Sequence, residues 1–154
     1  MNGNLDSKTI PDSDIAGLSW HVTLDYDEYY SAPEGDCYTP RQVDAYRRGD
    51  WSYVIVGVSP IVGGVELDDL TETLGCVEYG TFTLTDEDDN VTGTLDIDLD
   101  SMISGRGEDY EPYPVPDLIG EAKSRLAGMA PVFAEVFGQV RGGFAPRDLE
   151  RVSA

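Results

Sequence analysis

Residues 51–58 read Trp-Ser-Tyr-Val-Ile-Val-Gly-Val. Apart from Ser52 and Gly57, the run is apolar or aromatic at odd and even positions alike. Successive side chains of a strand point to opposite faces, so a segment of this kind must be covered on both sides. It is expected as the central strand of a sheet with a layer on each face, helices forming one of them. Pro60 is expected to end the strand or to mark a bulge, and Gly63-Gly64 reads as a turn.

The flanking segments supply the rest of a sheet. Leu18, Trp20, Val22, Leu24 and Tyr26 alternate with Ser19, His21, Thr23, Asp25 and Asp27. That pattern puts His21, the one histidine, on the polar side of a strand with no recognisable partner. Val65 to Leu74 alternates more weakly, and Gly80 shifts the phase after Cys76-Val77-Glu78-Tyr79, as a bulge would. Phe82 and Leu84 then alternate with Thr81, Thr83 and Thr85, and beyond Asn90 the positions Val91, Leu95, Ile97 and Leu99 alternate with Thr92, Asp96, Asp98 and Asp100. The inward set is even-numbered before the turn and odd-numbered after it. Cross-strand partners must therefore sum to an odd number, through a two-residue Asp88-Asp89 turn or a four-residue Asp86–Asp89 loop. Either register places Asp96, Asp98 and Asp100 in one outward row.

Two helices are expected. Thr39-Pro40-Arg41-Gln42 has the form of a capping box with Pro at the first helical position. The helix carries Val43 and Tyr46 inward and stops near Gly49. Asp117 is placed to cap a second segment, where Leu118, Ala122, Leu126, Met129, Phe133, Phe137 and Val140 form one apolar stripe. Pro131 leaves one kinked helix and two consecutive helices equally compatible. Residues 1–17 are polar and aperiodic and read as a mobile arm; 142–154 read as a polar tail. The expected architecture is one α+β domain over 18–141. Its mostly antiparallel sheet, of about five strands, is packed by the C-terminal helical segment and the shorter helix on one face.

Charge is the compositional outlier. Thirty acids against ten bases give −20. Residues 49–105 hold thirteen of the acids and no Lys or Arg, so the strands carry most of the excess. Such a charge repels nucleic acid and anionic membrane and favours encounter with basic surfaces. The acids that form the candidate partner-binding surface are Glu66, Asp68, Asp69, Asp86, Glu87, Asp88, Asp89, Asp96, Asp98 and Asp100. Asp side chains two positions apart on a strand lie about 6.6–6.8 Å from one another. Duplex DNA carries a charge per about 3.4 Å of each strand, so a single Asp row reaches about half that density. Arg41, Arg47 and Arg48, the basic cluster nearest these strands, are expected to pair with acids.

Catalytic and metal chemistry find little support. Asp96-Ile97-Asp98-Leu99-Asp100 begins like a calcium loop, but Ser101 stands where Gly is needed and Gly107 where the bidentate Glu is needed. Asp86-x-Asp88-x-Asn90 fails similarly, with Val91 and Ile97 at those positions. With no nucleophile elbow, phosphate-cradling glycine loop or Cys-x-x-Cys, no cofactor is implied and no catalytic residue is assigned. Cys37 and Cys76 allow one disulfide, and reduced thiols are the expectation for a cytoplasmic chain. Residues 1–6 lack the basic and apolar regions of a signal peptide, and Val54–Val58 is far too short to span a membrane.

Arg48-Gly49-Asp50-Trp51, Val56-Gly57-Val58, Gly64-Val65-Glu66-Leu67 and Leu74-Gly75-Cys76-Val77-Glu78 resemble uncharacterised small acidic proteins of actinobacterial phages and plasmids. The resemblance covers roughly residues 40–80, with 81–112 resembling an insertion. It implies a mobile-element accessory protein and transfers no catalytic residue. Charge and context together give the expected function: a non-catalytic inhibitor that binds a basic, nucleic-acid-binding host protein by charge mimicry, as anti-restriction and anti-CRISPR proteins do. The alternatives are a phage structural or accessory protein whose acidity serves solubility, and a metal-dependent hydrolase using an Asp/Glu cluster.

Overall fold

A computed structural model describes residues 4–28, 37–104 and 114–129. Its elements are β1 (Asp6–Pro11), β2 (Leu18–Tyr26), α1 (Pro40–Arg48), β3 (Trp51–Val62), β4 (Val65–Glu66), a 3-10 turn (Asp68–Leu70), β5 (Glu72–Thr85), β6 (Val91–Ile97), α2 (Leu99–Ser104) and α3 (Pro114–Gly128). The strands form one antiparallel sheet in the order β1-β2-β3-β5-β6, with the short β4 pairing on β3. The fold is α+β, and β3 is central.

β3 runs four residues further than its apolar core, through Pro60. A strand residue directs its N–H and C=O to the same edge, and the Pro60 carbonyl accepts from Leu67 N. The missing N–H of Pro60 therefore lies on that edge, where the β5 ladder has already ended at the Val58–Glu72 pair. The pairing with β2, Trp20 opposite Pro60, loses nothing.

The cross-strand register sorts the core into two layers. Leu18, Trp20, Val22 and Leu24 lie opposite Val62, Pro60, Val58 and Val56, and all of these are buried. α3 covers this face with Val115, Leu118, Ala122 and Leu126, and α2 adds Leu99 and Met102. Each fully buried aliphatic side chain of this kind contributes about 1.5–3 kcal/mol. The opposite parity of β3 carries Trp51 and Tyr53, whose rings pack with Tyr38, Tyr46 and Phe82 beneath α1. The two expected helices thus lie on opposite faces of the sheet, because β3 is apolar on both.

α1 begins as its sequence predicts. The Thr39 hydroxyl accepts from Gln42 N, the Gln42 side chain accepts from Thr39 N, and Gly49 closes the helix at φ 84°. Gln42 also donates to the Thr83 carbonyl, and its own carbonyl accepts from Trp51 Nε1, which fastens α1 to β3 and β5.

Several expectations are corrected. Residues 1–17 do not form an arm over their described part: Asp6–Pro11 is an edge strand paired with β2 from Asp6–Leu24 to Pro11–Ser19. Its side chains are nearly all exposed, and an edge strand with one wet flank shows no alternation to read. The bulge expected at Gly80 lies instead at Gly75-Cys76, where Cys76 adopts φ 57° and its N–H donates to Asp27. Gly80 has another duty: a Cβ there would stand 2.5 Å from the Asp50 carbonyl oxygen. Val65 to Leu74 is not one strand but β4, the 3-10 turn and the start of β5. α3 starts at Pro114, so Asp117 sits in its first turn rather than at its cap. Leu118, Ala122 and Leu126 are buried as expected, whereas Phe133, Phe137, Val140, the kink at Pro131 and the tail lie outside the described residues.

Candidate interaction surface

The hairpin that carries most of the candidate acids differs from expectation in its turn and its end. Partners sum to an odd number from Gly80–Ile97 to Leu84–Gly93, then the register slips and Thr85 faces Val91. The connection becomes a five-residue loop, 86–90, in place of a two- or four-residue one, and Val91 turns outward. Within it the Asp86 carboxylate accepts from Asp88 N, Asn90 N and the Asn90 side chain, while Asp86 N donates to Asn90 O. The Asn90 backbone bond is the main cause holding the Asp86 carboxyl below its usual value, since it favours the ionised form. Asp89 takes φ 61°, and its carbonyl accepts from Arg41 Nε at 2.8 Å. Asp86 and Asp89 therefore shape the loop, and Glu87 and Asp88 are its outward charges.

The expected row of Asp96, Asp98 and Asp100 does not exist. β6 ends at Ile97, and the chain turns at once into α2. Asp96 stays on the strand and accepts from the Thr81 hydroxyl at 3.1 Å. Asp98 caps α2, its carboxylate accepting from Ser101 N while Ser101 Oγ accepts from Asp98 N. Asp100 lies on α2 and pairs with Lys8 of β1 at 3.1 Å. Ile97 and Leu99 are both buried, as strand alternation predicts, yet a helix that opens at residue 99 buries Leu99 equally well. Their spacing does not distinguish the two.

Glu66, Asp68 and Asp69 lie at the other end of β5, which is 14 residues long. At strand rise that end is at most about 45 Å from the 86–90 loop, because the bulge at Gly75-Cys76 shortens and bends the strand. Glu66 is not free: its carboxylate meets His21 Nδ1 at 2.6 Å. Register explains the meeting, because Thr9, His21 and Ser59 lie side by side and Ile61, two residues on, faces Glu66. The neighbouring Asp68 carboxyl, hydrogen-bonded to Glu66, pushes the Glu66 carboxyl up, and burial adds to this against the pull of His21. Beside them the Ser59 and Thr71 hydroxyls are 2.7 Å apart, and Thr71 donates to the Asp68 carbonyl, so the proton between the hydroxyls belongs to Ser59. Among the described residues, no group of three His, Cys, Asp or Glu side chains is placed to hold a metal ion.

Among the described residues, every Lys and Arg side chain is committed. Lys8 holds Asp100, Arg47 reaches Asp44, Arg48 pairs with Asp50, Arg125 lies 2.6 Å from Glu72, and Arg41 binds the acidic loop through its backbone. Lys123, on α3, is the buried member: its ammonium is 2.8 Å from Asp12 Oδ1 and 3.6 Å from Asp14. Asp12 was no candidate in the sequence reading, yet its side chain is only 1% exposed. Burial alone would raise its carboxyl, but hydrogen bonds from Lys123, Trp20 Nε1 and the N–H groups of Asp14 and Ile15 outweigh this and hold it below the ordinary 3.8. The available signal was Pro11-Asp12-Ser13-Asp14, a turn sequence, combined with Lys123 one turn beyond Ile119 beside the apolar stripe.

Comparison with protein-family models, curated proteins and solved structures gave no match for this chain. Among the described residues, no helix is long and apolar enough to cross a membrane.

Proposed function

We propose that the protein is a non-catalytic acidic interaction protein that binds a basic, nucleic-acid-binding host protein by charge mimicry, in the manner of mobile-element inhibitors of restriction or CRISPR systems. One observation carries the reading: each of the six Lys and Arg residues in the described part is already engaged by the chain's own acids or by the acidic loop. The exposed Asp68, Asp69, Glu87, Asp88 and Asp96 pair with no base among the described residues, which leaves them open to the cations of a basic partner. Their distribution favours two acidic poles, at 66–69 and at 86–89, over a continuous strip. A partner with two basic patches no more than about 45 Å apart would engage both poles at once.

The test is capture of basic nucleic-acid-binding proteins from a host lysate at about 50 mM and about 0.5 M salt, over which the screening length falls several-fold. Parent protein should retain them at low salt only. The charge-neutral variant Asp68→Asn/Asp69→Asn/Glu87→Gln/Asp88→Asn should retain far less, with its fold unchanged. Equal retention by parent and variant, or capture indifferent to salt, would refute the proposal and favour acidity that serves solubility.

A further inference from the structure

The Asp12–Lys123 pair forms the floor of a cavity of about 300 Å³ between α3 and the β1–β2 connection. Its walls are mainly apolar, made by Ile10, Pro11, Trp20, Pro116 and Ile119, with the exposed Ser13 at the solvent side. Gly120 lines it as well, and a Cβ built there would meet nothing within 4 Å, so the space continues over the helix backbone. The volume is at the lower end of ligand pockets and is room for roughly ten non-hydrogen atoms at about 30 Å³ each.

The hydrogen-bonding valences of the floor decide what fits. Asp12 Oδ1 accepts from Lys123 and Trp20, and Oδ2 accepts from Asp14 N and Ile15 N. Its lone pairs are taken, so it has nothing to offer a donor. Trp20 Nε1–H is spent on the same carboxylate. The Lys123 ammonium has three N–H groups and one short acceptor, Asp12, because Asp14 at 3.6 Å is beyond hydrogen-bond distance. The open valence of this buried floor is therefore a donor, and it calls for an acceptor; the Ser13 hydroxyl is exposed to water and does not impose a choice. The local charge then selects among acceptors. One ammonium against the carboxylates of Asp12 and Asp14 already sums to −1, so a carboxylate or phosphate would add repulsion in a poorly solvated site, whereas a carbonyl oxygen would not.

We propose that this cavity binds a small neutral molecule made of an apolar body, about ten atoms in size, and a carbonyl oxygen that accepts from Lys123. The carbonyl sits against the ammonium and the body lies along Trp20 and Ile119. This site is independent of the acidic poles and does not rest on the charge-mimicry reading.

Benzamide is the probe, with benzoate, benzylamine and ethylbenzene as anionic, cationic and acceptor-free analogues. The readout is the indole N–H resonance of Trp20. That of Trp51, whose N–H is held by Gln42 O on the opposite face, is the internal control. Benzamide should shift the Trp20 signal alone and saturably below about 5 mM, an affinity in keeping with a ligand of this size. Benzoate and ethylbenzene should bind at least several-fold more weakly, and benzylamine should give no shift. Gly120→Leu fills the cavity and replaces a helix-interior glycine with a better helix former, so it should abolish the benzamide shift in a protein at least as stable as the parent. No Trp20 shift with benzamide, a shift that survives in Gly120→Leu, or benzylamine binding as tightly as benzamide would each overturn the proposal.

Discussion

Replacing Lys123 by Met removes the ammonium from a buried carboxylate while keeping most of the apolar volume of the side chain. Lys123 to Asp12 is a charge-assisted hydrogen bond in a site 11% and 1% exposed. Such bonds contribute about 1.5–3 kcal/mol, and breaking a buried pair by deleting one partner costs about 3–5 kcal/mol. Asp12 keeps three donors, Trp20 Nε1 and the N–H groups of Asp14 and Ile15, so the cost lies near the first figure and reaches only the bottom of the second. Asp14 is largely exposed, and its contribution to the pair is under about 1 kcal/mol. Urea unfolding at pH 7 should show a loss of about 2–3 kcal/mol, equivalent to roughly 4–12 °C in Tm for a chain of this size. The pH dependence has a definite sign. Asp12 has a folded-state pKa below its ordinary 3.8, so its stabilisation is complete above that value and is lost as pH falls through the folded pKa. Removing Lys123 raises the folded-state value. The gap between parent and variant should therefore be constant from neutral pH down to about pH 5, then close as Asp12 becomes protonated in both. A gap under about 1 kcal/mol at pH 7, or one that persists unchanged to pH 2, would refute the assignment of this pair as a buried, structurally required contact.

Two further substitutions test the account of the hairpin and its ends. Asp98→Ala removes the cap of α2 and should cost about 1 kcal/mol in urea unfolding, whereas Asp96→Ala, on the strand, should stay within about 0.5 kcal/mol; equal costs would argue against the cap. Gly80→Ala places a methyl 2.5 Å from the Asp50 carbonyl at φ 114° and should lose at least about 3 kcal/mol or fail to fold. Gly93→Ala, with nothing within 4 Å, is the control and should fall within about 1 kcal/mol.

Much of the fold was legible in the chain because it is written in short-range patterns. Alternation at 18–26 and the two-sided apolarity of 51–58 place β2 and β3, since strand parity is a local property. The capping box at Thr39 and Gln42 fixes where α1 starts, because both partners lie within one helical turn. The buried stripe of α3 follows from helical spacing. An exposed edge strand such as β1 escapes the same reading, because its pairing is made by the backbone and any polar sequence serves. The acid-rich surface was legible as composition, and its arrangement was not. Asp96, Asp98 and Asp100 share a parity, but whether residue 98 continues a strand or caps a helix depends on how Leu99 and Met102 find the core between the sheet and α3. His21 acquires Glu66 only through the register of β2, β3 and β4, and Asp12 acquires Lys123 across more than a hundred residues. Contacts of that kind arise from the packing of α3 on the sheet, and no local pattern encodes them. The sequence by itself determined the central strands, the first helix and the sign of the surface; the tertiary structure decided which of the described charges are spent within the chain and which stay exposed, because those pairings join segments far apart in sequence.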